Sequence, residues 1–326
     1  MLKKTFFMAA LGLTLAGNLA AEESTTDTDS STPPESAQDA PPQMPPEAPP
    51  AQTQPPLPPR KPPLPLDRQK ADQLASQLQR DQASKAQIHW FNEGSDEQFL
   101  GLYIQEYGEQ PQGYALILHD NQQHPDWPGL VRALRTQLPA GGWSTLAISL
   151  PDRWDIRPHL QPDQLTDAPP TLTQLSVEAL PEEVPQIFKQ RVTSGFDFLE
   201  SKDPMPIIVI SIGTFATIMA KQTHKLPVSK IAGLVVIDPT PLPGNDFNAD
   251  ADVTGLQIPV LDIAPQLQPR SNPAIRKRNA KRESRRHYEQ YITKGSNGHF
   301  QGFEFTIVKK IRGWGRRVID SRLVDQ

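Results

Sequence analysis

The chain has 326 residues, a formal net charge of -4, 36 prolines and no cysteine. The absence of cysteine excludes disulfides, thiolate catalysis and acylation at a lipobox cysteine. The slightly acidic balance argues against a general nucleic-acid-binding protein, so no specific nucleic-acid partner is expected.

Residues 1–21 have the features of a cleaved secretory signal. Lys3 and Lys4 form a charged start, residues 6–16 form an apolar run, and residues 19–21 form a small-residue cleavage site. The apolar run is too short to remain as a membrane-spanning anchor. We therefore expect no transmembrane anchor after cleavage, and export to a bacterial periplasm, with secretion to the medium as the alternative.

Residues 22–66 are predicted to form a disordered, proline-rich tether. Of the 36 prolines, 15 lie between Pro33 and Pro65, among small polar and acidic residues. Such a composition cannot bury enough apolar surface to offset the entropy lost on ordering. The rest of the chain, residues 67–326, is long enough for one domain with a single core.

The domain is predicted to open with a helix and a β-hairpin. Polar residues with a narrow apolar stripe predict a helix over residues 67–83. Two runs with strand-like composition, residues 87–91 and 98–104, are joined by a short loop that contains Gly94. This pattern is typical of two antiparallel strands.

From residue 113 onward, short apolar runs alternate with amphipathic segments. The predicted strands are residues 113–119, 143–150, 206–210, 231–237 and 258–263, and the predicted helices are residues 126–138, 184–201, 214–222, 275–292 and 303–323. The alternation is typical of an α/β domain with a doubly wound, mainly parallel sheet, to which the N-terminal hairpin adds an antiparallel edge. Residues 151–182 show no clear period and are predicted to form a long excursion. Ligands of such sheets bind beyond the carboxyl ends of the strands.

This order of elements resembles the α/β-hydrolase superfamily and, within it, the exported bacterial proteins of the DUF3530 family, whose function is not defined. The resemblance implies a sharp strand-to-helix turn after residues 206–210, where active hydrolases carry Gly-x-Ser-x-Gly. The matching residues here are Ser211-Ile212-Gly213-Thr214-Phe215. Gly213 stands at the position of the nucleophile, and without a side chain it cannot attack a carbonyl carbon.

Two hydroxyl residues flank Gly213 at this turn. Ser211 would need a shifted turn that Val209 crowds, and Thr214 is a hindered secondary alcohol on the first helical turn. We expect both to cap or pack the helix. Alternatively, Gly213 makes the turn and leaves a helix N-terminus open to an anion.

The resemblance also implies a general base, an acid and an oxyanion loop. His299 lies before the final helix, where the family's base stands, and either Asp238 or Asp262 could orient it. His119 and Asp120 end the first parallel strand, where hydrolases place a backbone donor for the oxyanion. The structural alternative is that His299 bonds a backbone carbonyl and that Asp238 starts a turn.

No cofactor or metal is expected. His119, Asp120 and His124 lack the spacing of a metal motif, and the chain has no glycine-rich phosphate loop. Trp127 and Trp143 are assigned to the core.

Basic residues crowd into one segment of the predicted helix 275–292 and the loop before it. They are Arg270, Arg276, Lys277, Arg278, Lys281, Arg282, Arg285 and Arg286. Glu283 and Glu289 interleave with them, which favours a solvated helix face over a polyanion-binding surface.

The leading functional interpretation is an exported α/β-hydrolase-fold protein that lacks the serine nucleophile and serves as a binding or scaffold module. Its partner would be an envelope protein or a small ester or amide ligand. One alternative is an ester or amide hydrolase that uses Ser211, or water activated by His299, as nucleophile. The other is a polyanion-binding module that uses the arginine-rich helix. The sequence does not indicate an oligomeric state.

Overall fold

The computed structural model describes residues 66–81, 86–108, 110–152, 159–160, 175–176, 180–224, 231–242, 247–285 and 287–324. The predicted signal, the predicted tether up to residue 65 and most of the predicted excursion lie outside the described residues. Within the described part of the chain, no helix combines the length and the apolar character that crossing a membrane requires.

The described residues form ten strands. They are β1 (Gln87–Phe91), β2 (Phe99–Ile104), β3 (Gly113–Leu118), β4 (Trp143–Ile148), β5 (His159–Leu160), β6 (Leu175–Ser176), β7 (Ile207–Ile212), β8 (Ile231–Ile237), β9 (Val260–Pro265) and β10 (Tyr288–Thr293). Eight of them form one sheet in the order β1-β2-β4-β3-β7-β8-β9-β10, and β5 pairs with β6. Strand β2 is antiparallel to both β1 and β4, whereas the other pairs of the large sheet are parallel. The predicted mainly parallel sheet with an antiparallel N-terminal hairpin is confirmed.

Helices cover both faces of the large sheet. They are α1 (Leu66–Arg80), α2 (Leu130–Gln137), α3 (Glu183–Glu200), α4 (Gly213–Thr223), α5 (Ala249–Thr254), α6 (Pro273–Arg282) and α7 (Glu304–Val324). Neighbouring side chains of a strand point to opposite faces. Leu116 of β3 accordingly joins the apolar cluster that includes α3 and α4, whereas Ile117 joins the cluster that includes α2 and α7. The sheet is thus buried between two apolar layers, and its strand ends are left to form the rim.

Helix α1 is tied to the domain by buried polar contacts as well as apolar ones. Its Asp67 carboxylate lies 2.6 Å from a guanidinium nitrogen of Arg191 in α3, and both side chains are almost fully buried. Lys70 is ion-paired with Asp152. Leu74 packs with side chains of β2 in a small third cluster. The helix therefore belongs to the folded domain.

The predicted helix 275–292 is wrong in its second half. Helix α6 ends at Arg282, Ser284 adopts a positive φ of 53°, and strand β10 begins at Tyr288 and pairs in parallel with β9. The density of charged residues favoured one long helix, but Tyr288, Tyr291 and Thr293 belong to the aromatic and β-branched types that fit a pleated strand. The strand conformation of these residues depends on pairing with β9, which local sequence preferences do not indicate.

The solvated-face interpretation of the basic segment is wrong for Arg276. Its side chain is fully buried, and its Nε and Nη2 donate hydrogen bonds to the two oxygens of Asp262 at 2.8 and 3.1 Å. Tyr288 and Gln290 of β10 also donate to Asp262. Burial and the Asp262 carboxylate raise the pKa of the Tyr288 phenol. These contacts join α6 to β9 and β10.

Candidate functional site

Four strands bring their carboxyl ends together at one rim of the sheet. Asp120 follows β3, Gly213 follows β7, Asp238 follows β8, and Arg270 lies in the loop after β9. Their backbone and side-chain contacts link all four positions. This is the place where sheets of this type hold ligands.

Gly213 makes the sharp turn between β7 and α4. It has a φ of 59°, and α4 begins at this residue immediately after the strand. Its carbonyl oxygen accepts a hydrogen bond of 3.1 Å from the backbone N–H of Thr240. Glycine adopts this left-handed conformation without strain, whereas another residue would be strained there. The turn has the strand-to-helix form of the hydrolase elbow.

The Asp120 carboxyl group lies directly against this turn. A Cβ atom added to Gly213 would overlap it. Asp120 Oδ1 accepts two backbone hydrogen bonds of 2.8 Å, from the N–H of Thr214 and the N–H of Asn121. One donor follows the turn and the other lies in the loop after β3, which are the two sources of the oxyanion hole in hydrolases of this fold. The Asp120 carboxylate therefore occupies the position that corresponds to the oxyanion hole.

Arg270 joins the acids at the ends of β3 and β8. Its guanidinium donates to Asp120 Oδ2 and, at 3.1 Å, to Thr240 Oγ1. Its backbone N–H donates to Asp238 Oδ1 at 3.0 Å, and its Nε lies 3.5 Å from Asp238 Oδ2. This role was not predicted from the sequence, because Arg270 lies close to the basic residues of α6 and was grouped with them. Its position in the loop after β9, where hydrolases commonly carry their acid, was the available signal.

Asp238 is buried and has an unusual backbone conformation. Its φ is 45°, which is favoured by few residues other than glycine, asparagine and aspartate. Burial raises the pKa of its carboxyl group to about 6, while the hydrogen bond and the charge of Arg270 act in the opposite direction. Its Oδ2 atom has no hydrogen-bond partner among the residues that the structure describes. A Cβ atom at Gly298 would lie 3.1 Å from that oxygen, so the acid faces the loop that carries His299.

His299 is exposed in the loop before α7. Its backbone N–H donates to Asn297 Oδ1 at 3.1 Å. Among the described residues, its imidazole has no hydrogen bond to Asp238 or to Ser211, although Asp238 lies next to the same loop. The structure thus brings His299 and Asp238 to neighbouring loops but does not join their side chains.

The two hydroxyl residues at the turn are buried. Ser211 lies within β7, Thr214 lies in the first turn of α4, and neither hydroxyl has a hydrogen-bond partner in the described part of the chain. Helix α4 has no side-chain cap. Both side chains therefore pack in the interior, and the alternative acid Asp262 is bound by Arg276.

His119 holds the loop that carries Asp120. It is buried, its Nε2 accepts a hydrogen bond of 3.1 Å from the Leu150 N–H, and its Nδ1 lies 2.7 Å from the Asp120 carbonyl oxygen. A backbone N–H can only donate, so Nε2 is the acceptor and Nδ1 carries the proton. Burial lowers the pKa of His119 to about 3. The neutral ring thus links the ends of β3 and β4 and positions Asp120.

A cleft of about 500 Å³ opens beside these groups. Asp120 and Arg270 form part of its wall, with Trp127, His299 and Glu304 around them. The assignment of Trp127 to the core is wrong, because its side chain is 39% exposed, whereas Trp143 is fully buried. Within the described ranges, no group of three or more histidine and acidic residues is arranged to hold a metal ion.

Solved structures of esterases and lipases share this architecture. An esterase from Pyrococcus furiosus has a TM-score of 0.53 and 12% identity over 73% of this chain and 93% of its own. A bacterial brefeldin A esterase has a TM-score of 0.52 and 11% identity over 72% and 77%. A soluble variant of a monoglyceride lipase from Saccharomyces cerevisiae has a TM-score of 0.50 and 11% identity over 73% and 97%. At this level of identity the likeness shows the α/β-hydrolase fold alone.

The sequence itself matches a family that spans nearly the whole chain. No curated protein matches it. The family profile described as "Protein of unknown function (DUF3530)" matches residues 5–317. The chain therefore belongs to the DUF3530 family, and it has the fold of the α/β-hydrolases.

Proposed function

We propose that this protein is an exported, non-hydrolytic member of the α/β-hydrolase fold that binds a ligand or partner at the rim of its sheet. The observation that carries the proposal is the position of the Asp120 carboxylate against Gly213, where it accepts the N–H of Thr214 and of Asn121. In this arrangement the nucleophile is missing, the oxyanion site is occupied, and, among the described residues, the histidine is not bonded to an acid.

The serine nucleophile is absent, and the donors of the oxyanion hole are already bound. Gly213 has no atom that could attack a carbonyl carbon. The two N–H groups that would stabilise the oxyanion of a tetrahedral intermediate already bind Asp120 Oδ1. A second negative oxygen beside this carboxylate would be repelled. A substrate carbonyl could enter only after Asp120 had left.

The proton-transfer groups are also uncoupled. Asp238, which could orient a catalytic histidine, is bound by Arg270. A guanidinium stays protonated in proteins, so Arg270 cannot act as a general base between Asp238 and Asp120. His299 is exposed and has no side-chain bond to the acid. Asp238 is thus bound to Arg270, whereas a proton relay would need it bonded to a histidine.

The sequence supports the exported location and the binding role. Residues 1–21 resemble a cleaved signal, and residues 22–66 have the composition of a spacer that would let the domain reach a partner in the envelope. Cell fractionation tests this part. We expect the intact chain in the periplasmic fraction and a chain without residues 2–21 in the cytoplasm. Cytoplasmic retention of the intact chain would refute export.

The two alternatives have less support. Ser211 is enclosed in β7, and within the described part of the chain its hydroxyl has no hydrogen-bond partner that could act as its base. Arg276 is buried against Asp262, so it cannot contribute to a polyanion-binding surface. No specific observation favours either function over the binding role.

A hydrolysis assay tests the central part of the proposal. Purified protein is incubated with p-nitrophenyl esters of short to long acyl chains, beside the variants His299→Ala and Ser211→Ala. The exposed Ser201 provides a matched control variant, Ser201→Ala. We expect the same background rate for all four proteins. Turnover that His299→Ala or Ser211→Ala abolishes, and that Ser201→Ala retains, would overturn the proposal.

A further inference from the structure

The cleft at the rim presents an aromatic side chain to solvent. Trp127 lines it and is 39% exposed, whereas Trp143 is fully buried. The ring of His124 makes an edge contact with the indole, with centroids 5.2 Å apart and an interplanar angle of 69°. This contact holds the indole at the wall of the cleft. An exposed, supported aromatic ring is a common element of ligand sites.

The charges around the cleft are not balanced. The guanidinium of Arg270 is already bound to Asp120 and Asp238. Glu304, in the first turn of α7, also lines the cleft, and its carboxylate has no ion pair in the described part of the chain. Among the side chains that line the cleft, one guanidinium, that of Arg270, therefore stands against two carboxylates, those of Asp120 and Glu304. The surplus negative charge disfavours an anionic ligand and favours a cationic one.

Glu304 lies on the same side of the cleft as the tryptophan. Its Oε1 is 3.7 Å from the position that a Cβ atom would take at Gly129, two residues after Trp127. The carboxylate is half-buried, so an ion pair formed there would be less screened than one on the open surface. Trp127 and Glu304 line the same cleft, and an aromatic ring together with a carboxylate is a combination that can hold an organic cation.

We propose that this cleft binds an organic cation, an alkylammonium or guanidinium group, through an ion pair with Glu304 and a cation–π contact with Trp127. The inference rests on the binding role proposed above and names the ligand class of that site. The same chemistry is offered by a free polyamine and by a lysine or arginine side chain of an envelope protein. The volume of about 500 Å³ accommodates either. A neutral sugar could stack on the indole and donate hydroxyl hydrogen bonds to Glu304, but it would not neutralise the charge of the carboxylate.

Calorimetric titration of the full chain tests the inference. The probes are spermidine, a blocked lysine-containing peptide, N-acetylglucosamine and citrate, each at low and at raised salt concentration. We expect at least one of the two cations to bind, with affinity that falls as salt is added, and no binding of citrate or the sugar. Binding of spermidine alone would indicate a free polyamine, and binding of the peptide alone would indicate a protein side chain.

Two variants separate a specific site from general attraction. Glu304→Gln is expected to weaken cation binding about tenfold and Trp127→Leu about fivefold. The matched control is Glu183→Gln, which removes an exposed acid from the first turn of α3 and should leave affinity unchanged. Unchanged affinity in Glu304→Gln, binding of the sugar without the cations, or no binding at all would overturn the inference. Ester turnover that depends on His299 would instead overturn the proposed function, so the two failures are distinguishable.

Discussion

The carboxyl group of Asp120 fills the space that a side chain at Gly213 would need. The two residues lie at the ends of neighbouring parallel strands, β3 and β7. The carboxylate accepts the first backbone N–H after the turn, that of Thr214, and is ion-paired with Arg270. The glycine and the acid therefore depend on each other, because no residue with a side chain fits at position 213 while Asp120 keeps its place.

Gly213→Ala should therefore destabilise the protein for two reasons. The positive φ strains any residue with a Cβ, and this Cβ also overlaps Asp120. We expect a loss of about 2–4 kcal/mol in the free energy of unfolding, measured by urea denaturation. Gly94→Ala is the matched control, since Gly94 has a φ of 81° but nothing within 4 Å of its Cβ position.

The overlap can be separated from the strain by removing Asp120. Asp120→Ala should lower stability by itself, because it leaves the charge of Arg270 less compensated. The double variant Asp120→Ala/Gly213→Ala should lose less free energy of unfolding than the sum of the two single-variant losses, because the overlap is gone. Strictly additive losses, or equal costs for Gly213→Ala and Gly94→Ala, would contradict the described contact.

Arg270→Gln should destabilise the protein in a pH-dependent way. It leaves Asp120 and Asp238 buried close to each other without their cation, and we expect a loss of about 2–4 kcal/mol at neutral pH. Burial already raises the pKa of Asp238 to about 6, and without Arg270 this pKa should rise further. A carboxyl group with a raised folded pKa lowers stability as pH increases from its unfolded pKa to its folded pKa.

The deficit of Arg270→Gln should accordingly be larger at pH 8 than at pH 5, where protonation neutralises the acid. Urea denaturation at several pH values measures it, and the exposed Arg282→Gln on α6 serves as control. A deficit that does not change with pH would show that the two acids are not coupled to Arg270.

The architecture could be predicted from sequence more fully than the site. The short apolar runs of the parallel strands and their alternation with amphipathic segments are local signals, and they placed Gly213 at the turn after β7. The contact between Asp120 and this turn is not local, because the bond from Thr214 to Asp120 joins residues 94 positions apart. Strand β10 was missed because its register depends on pairing with β9. The periodicity of a charged segment does not show whether that segment pairs with a strand elsewhere in the chain.

Arg276 should be the basic residue of helix α6 on which the fold depends most. Arg276→Met leaves the fully buried Asp262 without its cation, so we expect a loss of about 3–5 kcal/mol in the free energy of unfolding. Arg278→Met removes the same charge from an exposed position of α6 and should change stability by about 0.5 kcal/mol or less. Adding Asp262→Asn to Arg276→Met should restore part of the loss. Equal effects of Arg276→Met and Arg278→Met would refute the buried pair.

His119 should make the protein sensitive to acid. Its folded pKa of about 3 lies below the unfolded value of 6.5. Between these two pH values the ring is protonated in the unfolded chain but not in the folded chain. Stability contributed by the neutral ring is complete above pH 6.5 and is lost as pH falls towards 3, by up to about 1.4 kcal/mol per pH unit. His119→Gln should flatten this dependence in denaturation experiments, whereas the exposed His299→Gln should not. Parallel pH profiles for His119→Gln and the unaltered protein would contradict the buried neutral ring.

The most direct test of the central claim is covalent labelling with an alkyl fluorophosphonate, followed by intact-mass measurement. This reagent phosphonylates a serine that an adjacent base activates, and it needs no knowledge of the substrate. A serine esterase of the same fold serves as the positive control. We expect no added mass on the protein under conditions that label the control completely. Stoichiometric labelling that Ser211→Ala or His299→Ala removes would contradict it, because the rim would then hold a working nucleophile in spite of Gly213 and Asp120.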